Sequence, residues 1–136
     1  MSLEPPPVGG VHEAALYARD LDQVERFWRR LGLQFMGRAE GRHVFFRIGR
    51  DMLLTFVPEA TRRKAGNVPP HGADGAGHVA FDVPDDAALD AWREHLARAG
   101  VAIEAEVTWP RGGRSLYFRD PAGNSIELIT RGTWGF

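Results

Sequence analysis

The sequence runs through one plan twice. Glu13-Ala-Ala-Leu-Tyr-Ala-Arg-Asp20 has apolar, β-forming character and ends on Asp20, a residue suited to capping a helix. His78-Val-Ala-Phe-Asp-Val-Pro-Asp85 has the same shape and the same spacing to its final Asp. An amphipathic helix is expected after each. Leu21, Val24, Phe27, Trp28 and Leu31 recur at helical spacing before Gly32, as do Leu89, Trp92, Leu96 and Ala99 before Gly100. Three short strands are then expected in each half, at residues 33–38, 43–48 and 52–57, and at residues 102–109, 115–119 and 125–130. Turn-forming joints separate them, among them Arg111-Gly112-Gly113 and Asp120-Pro121-Ala122-Gly123-Asn124. This order predicts one α+β domain over residues 1–136, with two βαβββ modules at about 11–58 and 77–130 joined by loop 59–76. Neither half buries enough surface alone. The two curved sheets are therefore expected to pair into a cup with helices outside.

Superposing the halves carries chemical information. Anchored on Asp20 and Asp85, Glu13 falls on His78; anchored on the turns Gly49-Arg50 and Gly123-Asn124, Leu53 falls on Glu127. A two-fold repeat sets equivalent positions around one axis, and three of these four carry groups that bind divalent cations. Alternation puts Glu13, Ala15 and Tyr17 on one face of the first strand and His78 with Ala80 on one face of the fifth. Glu127 stands inside an apolar run, where an unpaired carboxylate is costly and a cation or strong donors offset the cost. One imidazole and two carboxylates suit a single divalent Mn, Fe, Co, Ni or Zn, with positions left for water or substrate. The plainer alternative is a satisfied His78–Glu127 polar pair, with Glu13 an exposed residue at a strand start.

Composition removes several classes of function. No cysteine is present, so disulfides, thiolate metal sites and cysteine nucleophiles are excluded. The net charge of -1, from 17 basic and 18 acidic residues, gives no footprint for nucleic acid or an anionic membrane. No apolar run approaches the roughly 20 residues of a membrane span, and residues 1–10 show no apolar secretory core. A cytoplasmic protein acting on a small molecule is the expectation.

At this point the sequence resembles the vicinal oxygen chelate superfamily, which holds the glyoxalases, bleomycin-resistance proteins and extradiol dioxygenases. Glu13 to Asp22, with Phe27-Trp28 and Leu31-Gly32-Leu33, is similar to that family's first-module signature, and Gly77-His-Val-Ala-Phe81 to the start of its second. Ser115-Leu-Tyr-Phe-Arg-Asp-Pro-Ala-Gly-Asn-Ser-Ile-Glu-Leu128 is similar to its C-terminal signature. The resemblance implies two βαβββ modules forming a cup around one divalent metal, and a homodimer, with the site within one chain or across two. It places His78 and Glu127 on the second-module ligands. Counting back from Asp20 puts the first-strand ligand on Glu13 rather than on His12, one residue earlier and on the opposite face. The usual fourth-ligand position falls on Leu53 or its neighbour Leu54, neither of which binds metal, so the resemblance implies a three-ligand site.

Other candidates follow from alternation. Ser115, Tyr117 and Arg119 share one face of the seventh strand, which the resemblance turns into the cup as a substrate-binding face. Tyr117 is either a catalytic donor to a substrate oxyanion or an aromatic wall. His43, Phe45 and Arg47 share a face of the third strand, so Arg47 either meets an anionic substrate or pairs at the surface. His71, in the inter-module loop, is either an acid–base residue of a lid or an exposed loop histidine. A metal-dependent enzyme of lyase, isomerase, transferase or dioxygenase type is the leading expectation. A non-catalytic binding protein for a drug or other small molecule is the alternative. A fosfomycin-modifying activity is disfavoured, because Trp109-Pro110-Arg111-Gly112-Gly113 stands where basic and hydroxyl residues would be needed.

Overall fold

The computed structural model describes residues 4–64 and 66–136. Residues 1–3, part of the opening segment read for a secretory core, and Ala65 of the connecting loop lie outside the described residues. The first module runs β1 (Glu13–Tyr17), α1 (Leu21–Arg30), β2 (Gln34–Ala39), β3 (His43–Ile48) and β4 (Asp51–Phe56). A single-turn helix, α2 (Pro58–Thr61), opens the connecting loop, with Pro58 at its start where a fixed φ is helical already. The second module runs β5 (His78–Val83), α3 (Asp86–Arg98), β6 (Ala105–Thr108), β7 (Arg114–Arg119) and β8 (Ser125–Thr130). β6 is shorter than expected, beginning at Ala105 rather than at residue 102.

Both main helices are fixed at each end by the same devices. The Asp20 side chain accepts from Gln23 N at 3.0 Å and that of Asp85 from Ala88 N at 2.8 Å, satisfying donors that a helix start leaves free. At the other end Gly32 and Gly100 take φ of +92° and +74°, where a side chain would be strained. Leu33 N then reaches back to Trp28 O and Val101 N to Leu96 O, which closes a Schellman turn on each helix.

Each module folds into a four-stranded mixed sheet, β1-β4-β3-β2 and β5-β8-β7-β6, with its first strand parallel to its last. The registers are equivalent. Glu13 pairs with Met52 and Ala15 with Leu54, as His78 pairs with Ser125 and Ala80 with Glu127. Glu13 thus occupies the place of His78, and Leu54 the place of Glu127. The turn-anchored superposition of Leu53 is off by one, because two residues join β3 to β4 and five join β7 to β8. Leu53 instead lies in the core at 1% exposure. Met52 N bonds His12 O as Ser125 N bonds Gly77 O, so His12 is the counterpart of Gly77.

Helix α1 packs on β2 and β3, and α3 on β7 and β8. The helix faces of the two modules merge into one core. Trp28 of α1, 1% exposed, meets the Phe81 ring of β5 edge-on at 5.8 Å, and Phe27 lies 6.2 Å from Phe118 of β7. Asn124, also 1% exposed, ties the halves from the side: its Oδ1 accepts from Gly77 N and its Nδ2 donates to Tyr17 O.

Candidate metal centre

Glu127 sits mid-strand on β8 with 6% of its surface exposed, on the sheet face opposite the helix. A carboxylate there needs partners, and neighbouring side chains surround it. Ser115 Oγ donates to Glu127 Oε2 at 2.6 Å, and Trp109 Nε1 donates to Ser115 Oγ at 2.8 Å. Tyr117 stands directly across the ladder from Glu127. Burial, and then the neighbouring Glu127 carboxylate, push the Tyr117 hydroxyl above its ordinary range, so it remains a proton-bearing phenol. The imidazole of His78 lies 6.3 Å from the Tyr117 ring, nearly parallel to it, and its Nε2 is 3.2 Å from Glu127 Oε1.

The other nitrogen decides what that contact means. His78 Nδ1 lies 3.0 Å from the Ser125 carbonyl oxygen, which only accepts, so the network assigns the Nδ1 position a proton. In the neutral ring Nε2 then offers a lone pair toward a carboxylate oxygen. Two electron-rich atoms at this distance call for a positive charge between or beside them, either a proton on Nε2 or a cation. Ligands at about 2.1 Å from one ion and roughly at right angles stand about 3 Å apart. The donors, their spacing and the carbonyl that orients the imidazole all fit a divalent metal.

Glu13 lies elsewhere in the same chain. Ala15, Leu16 and Tyr17 border a cavity with Gly77 and His78, while Glu13 and Ala14 border another with Val79 and Asp82. Four residues of strand, about 13 Å, separate the two ends. Among the described residues no three His, Cys, Asp or Glu side chains converge as a metal site. The remaining candidates have local partners. Arg47 Nε donates to Gly49 O at 2.7 Å, and Arg119 pairs with Glu104 and with Gly123 O. His71 Nδ1 is 2.7 Å from the Tyr17 hydroxyl, and its ring packs edge-on against Phe56 at 4.7 Å.

The corresponding face of the first module is aromatic. His43 stacks on Phe45 at 3.9 Å with 6° between the planes, and Phe56 meets both edge-on. The Nδ1 atom of His43 is buried with no hydrogen-bond partner among the described residues, and burial, then the nearby Arg42 charge, hold this histidine below its ordinary value of 6.5. It presents itself as a neutral ring. Sequence reasoning placed Ser115, Tyr117 and Glu127 on one side of the sheet but did not find the Trp109–Ser115 bond or the Ser125 carbonyl. Backbone acceptors and turn-borne donors leave no period in a sequence.

Comparisons with known proteins agree with this architecture. Residues 10–128 match the family model described as Glyoxalase/Bleomycin resistance protein/Dioxygenase superfamily. The crystal structure of lactoylglutathione lyase from Agrobacterium tumefaciens is similar at TM-score 0.91 and 42% identity, covering 96% of this chain and 100% of that one. A glyoxalase/bleomycin resistance protein/dioxygenase from Nocardioides shares the fold at TM-score 0.72 and 21% identity, over 93% of this chain and 85% of that one. Among curated proteins, metallothiol transferase FosB of Shouchella clausii (strain KSM-K16) is 25% identical over 128 residues, 90% of this chain and 81% of FosB. The chain belongs to the Glyoxalase/Bleomycin resistance protein/Dioxygenase superfamily.

Proposed function

We propose that the chain is a metal-dependent enzyme acting on a small substrate that presents two neighbouring oxygens, with the ion held by His78, Glu127 and the Glu13 of a second copy. The observation that carries this reading is the His78 Nε2–Glu127 Oε1 contact at 3.2 Å, with Nδ1 held by the Ser125 carbonyl. Glu13 is exposed at the register position of His78, facing away from the core of its own chain, and a partner subunit is the natural source of the third ligand. A divalent ion there would supply Lewis acidity toward substrate oxygens. The chain's own residues do the rest. His78 keeps its tautomer through Ser125, Tyr117 holds a phenolic proton beside Glu127, and the His43, Phe45 and Phe56 rings offer an apolar wall. Leu54 at the place of Glu127 limits the site to three protein ligands. The likeness to the Agrobacterium tumefaciens lyase favours lyase chemistry over oxygen activation.

The test is uptake of metal by protein made without an affinity tag, read by mass spectrometry on wild type, Glu13→Gln, His12→Ala and Glu127→Gln. Metal is expected in wild type and His12→Ala, and lost in the other two. Mixing unfolded Glu13→Gln and Glu127→Gln chains and refolding them together should restore one intact site in each mixed dimer. Failure of the mixture to bind would count against a shared site. An empty wild type after reconstitution would leave a non-catalytic small-molecule binding protein as the better account.

A further inference from the structure

We infer that Trp109 is a positioning residue, which acts through Ser115 to present a single oxygen of Glu127 to the metal; the inference rests on the metal reading above. An indole N–H donates and never accepts. Lying 2.8 Å from Ser115 Oγ, it forces that oxygen to act as acceptor, so the one hydroxyl proton goes to Glu127 Oε2 at 2.6 Å. A serine on its own can rotate its proton among several acceptors; here the rotor is set. Ser115 is 1% exposed, so water does not compete for the bond. With Oε2 taken, Oε1 is the oxygen left facing His78 Nε2. Glu127 is thereby held to one-oxygen ligation beside the imidazole.

The turn that carries Trp109 is built to hold the indole still. Trp109 N donates to Gly113 O at 3.0 Å, and Gly112 N donates to Trp109 O at 2.9 Å. Gly113 has φ of +89°, and a Cβ there would run into the Thr133 side chain. Arg114 N donates to Thr130 Oγ1 at 2.9 Å, which fastens the far side of the turn to β8, the strand of Glu127 itself. The Trp109-Pro110-Arg111-Gly112-Gly113 segment is thus the base of the relay.

Cobalt(II) titration of the tag-free protein tests this, with binding and the visible spectrum of the bound ion as readouts beside activity. Ser115→Ala is expected to weaken cobalt binding about 10–100-fold, the range seen when a ligand's orienting partner is lost. Trp109→Phe, which keeps a ring on the half-exposed turn, is expected to weaken it several-fold. In both variants the cobalt spectrum should change, because Glu127 becomes free to bind through two oxygens. The double variant should bind no worse than Ser115→Ala alone, since both act on one carboxylate. Wild-type affinity and spectrum in the two single variants, or additive losses in the double, would overturn the relay while leaving the metal site standing. No cobalt uptake by wild type would overturn the metal reading and the relay with it.

Discussion

Position 54 in the first module and position 127 in the second are the same place in the same fold, yet one holds leucine and the other a carboxylate. The neighbours differ in step. Across the ladder from these positions stand Phe45 and Tyr117, and one pair further along stand His43 and Ser115, opposite Phe56 and Ile129. In the second module Ser115 donates to the carboxylate and Tyr117 sets a hydroxyl-bearing ring across from it; in the first the rings pack on one another. The backbone supplies two equal frames, and a buried charge survives only in the one whose side chains satisfy it. Glu13 and His78 are the exception, equivalent and both able to bind a cation.

The largest effect should come from breaking what the two modules share. Trp28→Ala removes the ring between α1 and β5 and should cost about 3–5 kcal/mol by denaturant titration. Helical and aromatic signals should fall together in one transition; two separate transitions would show that the modules fold independently. Next is an attempt to make the modules alike. Leu54→Glu should destabilise by about 3 kcal/mol, through lost packing and a carboxylate without donors, and should gain no second metal. A tolerated glutamate at 54 would break the comparison. Asn124→Ala removes the side-chain partner of Gly77 N and of Asp120 Oδ2 at the joint, for an expected loss of about 2 kcal/mol in urea.

The smallest effect is a pH dependence. Burial keeps His43 below 6.5, so the unfolded chain binds its proton first as pH falls. Its contribution to stability is full above the unfolded value and is lost as pH drops through 6.5 toward the folded value. His43→Phe should flatten the stability curve in that window; an unchanged slope would mean the ring is not buried neutral.

The repeat, both helices and their caps were legible because period, N-cap and glycine stop coincide in each half. Glu13 and His78 were legible as equivalent positions for the same reason: equivalence reveals itself by counting. The count failed at Leu53, where unequal turns shift the register by one. It also could not place Glu13 relative to His78, because the cavities that each borders depend on how the modules pack rather than on either one. The Trp109–Ser115–Glu127 chain depends on a tight turn, and the Tyr17–His71 bond on a loop. Both join segments whose sequences carry no mark of each other.

The matching registers have a bearing on descent. A duplicated half inherits its partner's backbone but not its obligations, so substitutions at 43, 45, 54 and 56 can accumulate without disturbing the residues around position 127. Such a chain can change what it recognises by drift in one copy while the other preserves the chemistry. New specificities would then arise without a stage at which the surroundings of Glu127 are lost.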